Sequence, residues 1–192
     1  AHRGPAALGP PLRPVGSRCT AAHCRWWLVR PPQPAPVLLL SEQAKHDMTS
    51  AARRSHPIET GGILVGVHVD GQPWITSAIE ISSPDRGRRH FKIPAGATQR
   101  AVLSARQGDP RLGYLGDWHS HPKCLGPSPT DRATLALISF KHPREPNPTM
   151  IVVRRCSSDY ELDARRMIVA TPRSCEVRLT GDLPPPTSLL TN

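Results

Sequence analysis

The 192 residues carry 25 Lys and Arg against 15 Asp and Glu, a formal net charge of +10, with 23 prolines and only 4% aromatic residues. This length suffices for one domain with a sizeable core, and no apolar run approaches the roughly 18 residues needed to span a bilayer. The basic balance favours acidic partners, nucleic acid included, but the cations are mostly scattered Arg and no aromatic-interleaved basic strand accompanies them, so nucleic acid is not the favoured partner.

Residues 1–36 hold eight prolines and three glycines, a composition that propagates neither helix nor sheet and reads as a tail or linker. The "WWLV" within it is too short for a signal-peptide core, which makes a cytoplasmic location the expectation. "PVLLL" is a short apolar run of strand type. The following "SEQAKHDMTSAARRS" places Ala44, Met48, Ala51 and Ala52 on one helical face, with Ser41 as N-cap and an end before Pro57. "GGILVGVHVD" and "PWITSAIEIS" are β-branched runs joined by "DGQ", a hairpin signal. "HFKIP" is a candidate third strand, and "ATQRAVLSARQG" a second helix closed by Gly108.

"RLGYLGDWHSH" reads as a strand that runs into a histidine pair. "TDRATLALISFK" is a third helix, with Ala133, Ala136, Leu137 and Phe140 expected on its buried face. "TMIVVRR", "YELDA", "RMIVAT" and "CEVRLT" close the domain as strands, and "GDLPPPTSLLTN" reads as a tail over 181–192. Alternating strands and helices of this kind imply an α/β layered domain over 37–180, a mixed sheet covered by helices.

Five cysteines at 19, 24, 124, 156 and 175 are an odd number without framework spacing, which suits a reduced compartment. "CTAAHC" (Cys19, His23, Cys24) could be half a zinc site, but no matching second pair exists, and an unstructured segment is the preferred reading.

The chemistry concentrates in "GDWHSHPKCLGPSPTD". His119 and His121 are two apart on a strand, so both side chains leave the same face as a pair of nitrogen ligands. Asp131 is the nearest downstream carboxylate, after a Pro- and Gly-containing loop able to fold back over a metal. Ser128 and Asp131 also match the Ser-x-x-acid capping box of a helix N-terminus, and the two roles are compatible. A hydrolytic zinc needs a base for its water; Glu59, in "HPIETGGILVG" before an apolar strand, is the candidate.

"ETGGILVG" followed some sixty residues later by "GDWHSHP" and "SPTD" resembles the JAMM/MPN+ zinc metalloprotease family. The resemblance implies an MPN (cytidine-deaminase-like) α/β/α sandwich with a mixed sheet. It makes His119, His121 and Asp131 ligands of Zn2+, Glu59 the proton-transferring base, and Ser128 a hydrogen-bond donor to the water or the developing oxyanion. Ser120 would point away from the metal. One departure stands out: "PKCLGP" places six residues between the second histidine and the serine where the family usually has seven. A shift by one register would put Pro129 and Arg132 at the key positions, so Ser128 and Asp131 are retained.

Cys124 in that loop is expected to be an exposed thiol, with a thiolate competing for the metal as the alternative. The family implies an isopeptidase or peptidase acting at the C-terminal tail of a ubiquitin-like or sulfur-carrier-like protein. A non-catalytic MPN scaffold and a DNA-repair-like protein with the same metal motif are the alternatives; the intact residue set speaks against the first, and net charge alone supports the second. The basic "SPDRGRRHF" (83–91) is the candidate for a loop flanking the substrate groove.

Overall fold

The first strand and helix follow directly from their local sequence. In the computed structural model, which describes residues 34–141 and 147–181, Val37–Ser41 forms strand β1 and Glu42–Ser55 forms helix α1. Ser41 caps the helix: its Oγ accepts from the Ala44 amide at 3.0 Å and donates to the Thr76 carbonyl at 2.9 Å. Glu42 in the first turn and Arg53 and Arg54 in the last complement the helix dipole. Ala44, Met48, Ala51 and Ala52 are buried, the face that the periodicity indicates.

The chain continues through β2 (Gly61–Val69), β3 (Gln72–Glu80), α2 (Ala97–Gly108), β4 (Gly113–His121), α3 (Pro129–Lys141), β5 (Thr149–Cys156), β6 (Asp159–Ile168), β7 (Thr171–Ser174) and β8 (Glu176–Thr180). The strands form one eight-stranded sheet in the order β7-β6-β5-β4-β2-β3-β1-β8. It is mixed: β1 runs parallel to β3 and β8, and β4 runs parallel to β5, while the other neighbours are antiparallel. Helix α1 covers one face, where Leu38, Leu40, Leu64, Ile75, Trp118, Ile151 and Val153 pack on its alanines and Met48. On the opposite face α2 packs on Ile63 and Val65, and α3 packs on Met150 and Met167. The result is an α/β/α sandwich.

Three expectations are corrected. "HFKIP" contributes only an isolated bridge between Arg86 and Phe91, because the segment turns back on itself through Gly87–His90 instead of joining the sheet. "YELDA" and the "RMI" of "RMIVAT" are one continuous strand; the break falls within the second segment, at Val169 and Ala170, whose positive φ values turn the chain into β7. In α3 the buried residue is Leu135, while Leu137 and Phe140 are 51% and 83% exposed. Asp131 and Leu135 are four apart and share a helix face. The rotation that aims Asp131 at the histidines therefore sends Leu135 into the sheet and turns Leu137 and Phe140 outward.

A bulge in β4 decides which face the histidines occupy. Leu64 of β2 pairs with Gly116 and Val65 with Tyr114, so Leu115 is the extra residue. Leu115 and Trp118 consequently share the α1 face although three apart, and Tyr114 and Asp117 share the other, where the Tyr114 hydroxyl donates to Asp117 Oδ1 at 3.0 Å. Gly116 carries the distortion with φ of +151°, and a Cβ there would run into the Thr149 carbonyl. Gly116→Ala is expected to destabilise the domain by about 2–4 kcal/mol, since neither the backbone angle nor β5 can yield; urea denaturation against wild type reads this directly.

Candidate metal centre

His119 and His121 project from the C-terminal end of β4 onto the α2/α3 face, and Asp131 enters from the first turn of α3. His119 Nε2 lies 3.1 Å from His121 Nε2 and 3.4 Å from Asp131 Oδ1, and His121 Nε2 lies 3.6 Å from Asp131 Oδ2. These spacings bracket the edge of roughly 3.3 Å expected of a tetrahedron with ligand bonds of about 2.0–2.1 Å. The tautomer of His121 is fixed as well. Its Nδ1 is 2.9 Å from the Leu125 carbonyl, which can only accept, so Nδ1 carries the proton and Nε2 presents its lone pair to the centre. Two converging imidazole nitrogens and a carboxylate form a donor set that a divalent cation satisfies, and the residues present fit one.

The electrostatics agree. Burial lowers the His121 pKa, which favours the neutral, ligating form, although the Leu125 carbonyl works in the other direction. Burial also acts to raise the Asp131 carboxyl. It is outweighed by hydrogen bonding and attraction to His119 and by the bonds from Ser128, so the group lies well below the usual carboxylate range and stays ionised.

Ser128 and Asp131 make both bonds of a capping box: the Ser128 amide donates to Asp131 Oδ2 at 2.6 Å, and the Asp131 amide donates to Ser128 Oγ at 3.1 Å. The candidate ligand is thus the acidic member of the capping box, with Ser128 as the cap. Because Ser128 Oγ accepts in this pair, its hydroxyl proton remains available to donate into the cleft. The loop of six residues between His121 and Ser128 is long enough to bring Asp131 back to both histidines.

Glu59 lines the same cleft, only 5% exposed. Burial raises its pKa, as the Asp131 charge does, while His119 and His90 pull it down. Its position is set by its neighbours. The Thr60 amide donates to Ser120 Oγ at 3.0 Å and the Ser120 amide donates to the Thr60 carbonyl at 2.7 Å. Ser120 therefore points away from the candidate ligands, as alternation along the strand indicates, and ties the Glu59 segment to the strand that carries the histidines. Thr60 Oγ1 donates to Glu80 Oε1 at 2.7 Å, and Glu80 pairs with Arg54 at 3.0 Å, which anchors the segment to β3 and α1. The Glu59 amide donates to the Gly87 carbonyl at 2.8 Å, which brings the 83–91 loop to the cleft edge.

Sequence reasoning missed three participants. Asp117 lies on the histidine face, pushed up to about 6 by burial, against the Tyr114 hydrogen bond and His119; its spacing of two from His119 could have revealed it. The Leu125 carbonyl and the Thr60 backbone carry no side-chain signal. The expectation for Cys124 is corrected: it is disulfide-bonded to Cys156, at the end of β5, and is not a free loop thiol. A partner 32 residues away leaves no trace in local spacing. Cys175 is the free cysteine among the described residues, and the candidate Cys19–His23–Cys24 half-site lies outside them. No helix among the described residues is long and apolar enough to cross a membrane.

The fold and this centre define a domain of the JAB/MPN class. The family described as prokaryotic homologs of the JAB domain matches residues 41–168, and the chain belongs to it. The chain is also similar to the probable metalloprotease y4qB of Sinorhizobium fredii (strain NBRC 101917 / NGR234), with 32% identity over 123 residues that cover 61% of this chain and 75% of that protein. The solution structure of protein DSY2949 from Desulfitobacterium hafniense shares the fold, with a TM-score of 0.56 at 19% identity over 76% of this chain and 94% of that one.

Ser120→Ala leaves the buried Thr60 amide without its acceptor. It is expected to cost about 1–3 kcal/mol of stability and to lower kcat more than it changes metal content, because it displaces Glu59 and no ligand; thermal melts and metal analysis on the same preparation separate the two effects.

Proposed function

We propose that this chain is a zinc-dependent metallopeptidase of the JAMM/MPN+ type, cleaving an amide bond at the C-terminal tail of a ubiquitin-like or sulfur-carrier-like protein. The observation that carries the reading is the convergence of His119, His121 and Asp131 donor atoms, all within 4.8 Å of one another, beside a buried Glu59. Family membership and the similarity to a probable metalloprotease support the peptidase class.

His119, His121 and Asp131 would hold the ion. When bound, zinc supplies a Lewis acid that lowers the pKa of water and polarises a carbonyl. Glu59, its pKa raised by burial, takes the proton of the attacking water and delivers it to the leaving amine. Its amide is held by the Gly87 carbonyl and its flanking residue by Ser120, so the base is positioned before substrate arrives. Ser128 donates its hydroxyl proton to the oxygen that gains charge as the carbonyl becomes tetrahedral, an interaction stronger in the transition state than in the ground state. The cleft lies at a strand end and is lined by α2 and α3, an arrangement suited to an extended chain, so a flexible tail is the proposed substrate.

The wild-type protein is expected to carry one zinc per chain and the His119→Ala/His121→Ala double variant close to none; equal zinc by elemental analysis would sink the assignment. Glu59→Gln should keep the fold and the metal while hydrolysis of a tail fusion falls by roughly 100-fold or more. Mass spectrometry of the products reports both the loss and the position of the cut.

A further inference from the structure

The cleft that holds the His–His–Asp group is ringed by cations. Arg88, Arg89 and Lys92 stand on the 83–92 loop, Arg106 on α2, Lys123 on the loop after β4 and Lys141 at the end of α3. The acidic residues lining the same cleft are Glu59, Asp117 and Asp131, which belong to the centre itself. Arg88, Arg89, Lys123 and Lys141 make no ion pair with any described residue. Among the described residues these like charges stand without counterions and repel one another, which favours a ligand of opposite charge.

The loop that carries the two arginines is built to present them. Ser83 Oγ donates to the Lys92 carbonyl at 2.6 Å, the Lys92 amide to the Asp85 carbonyl at 3.1 Å, and the Gly87 amide to the His90 carbonyl at 2.8 Å. The Gly87 carbonyl in turn accepts from the Glu59 amide. Arg88 and Arg89 therefore stand one and two residues beyond the backbone contact that positions the base, exposed and on a braced turn. Between the cations the cleft offers Val102, Leu103 and Leu137, aliphatic groups suited to the side chains of a polypeptide rather than to sugar and phosphate.

We propose that the cleft selects polypeptides whose residues next to the scissile amide are acidic, with Arg88 and Arg89 as specificity-determining residues and Lys123, on the loop after β4, as a further contributor. The inference rests on the metallopeptidase reading and narrows it: tails bearing Arg or Lys beside the cut are disfavoured. Paired guanidinium groups engage carboxylates in bidentate fashion, and charge complementarity at a rim governs partner choice and salt dependence.

The test separates binding from hydrolysis. Three labelled, glycine-ended peptides, identical except for flanking Glu, Gln or Lys residues, are titrated by fluorescence anisotropy into full-length, zinc-loaded Glu59→Gln protein. The Glu peptide should bind about 10-fold more tightly than the Gln peptide, and the Lys peptide most weakly. The differences should shrink at high salt. Adding Arg88→Glu and Arg89→Glu should invert the order, a gain for the Lys peptide that misfolding cannot produce; Lys123→Glu should move it the same way by less. Equal binding of the three peptides, or an order untouched by the reversals, overturns the proposal. So does a single-stranded oligonucleotide that binds more tightly than the Glu peptide with the same dependence on Arg88 and Arg89. Charge-ordered binding with no cleavage of any peptide by wild type supports the charge selection and contradicts the peptidase reading. Cleavage by wild type without charge order does the reverse.

Discussion

Two hydrogen bonds between Thr60 and Ser120 hold the candidate base beside the candidate ligands. The serine between the histidines looks inert beside the candidate ligands, but alternation along β4 gives it the opposite face, where its hydroxyl meets the start of β2. Glu59 belongs to a segment sixty residues away, and it is this crossing that converts two remote pieces of chain into one site. The glycines after Thr60 make the approach possible. A Cβ at Gly61 would collide with the Trp118 carbonyl, and one at Gly62 with the Ile79 carbonyl.

The same economy governs the third candidate ligand. Asp131 closes a capping box with Ser128, so the forces that start α3 also aim a carboxylate at His119 and His121. Leu135, one turn on, is then committed to the sheet and packs on Met150 and Met167. The disulfide from Cys124 to Cys156 ties the intervening loop to the end of β5, beside the Leu125 carbonyl that fixes the His121 tautomer. Helix start, helix rotation and loop position all point one way.

Much of this was legible in the sequence where a local rule acts alone. Ser41 as cap, the buried stripe of α1, the β2–β3 hairpin and the shared face of His119 and His121 follow from period, capping and turn chemistry. The spacing of Glu59, the histidine pair and Asp131 was legible through resemblance to a family. What was not legible depends on packing between distant segments. The bulge at Leu115 reassigns strand faces through a register shift with β2, and no pattern of apolar residues announces it. The buried face of α3 was misread because four apolar positions on a stripe outweigh one leucine in any periodicity, whereas the rotation is set by the capping box that holds Asp131 at the helix start. The Cys124–Cys156 pairing needs the parallel alignment of β4 and β5, visible only once the sheet exists.

The account stands or falls on which atoms hold the metal. X-ray absorption at the zinc edge of the zinc-loaded, full-length protein reports the ligand shell directly. It should show four light scatterers at about 2.0–2.1 Å, with the multiple-scattering signature of two imidazoles. A shell containing sulfur at about 2.3 Å would place the ion on cysteine and contradict the centre built from His119, His121 and Asp131.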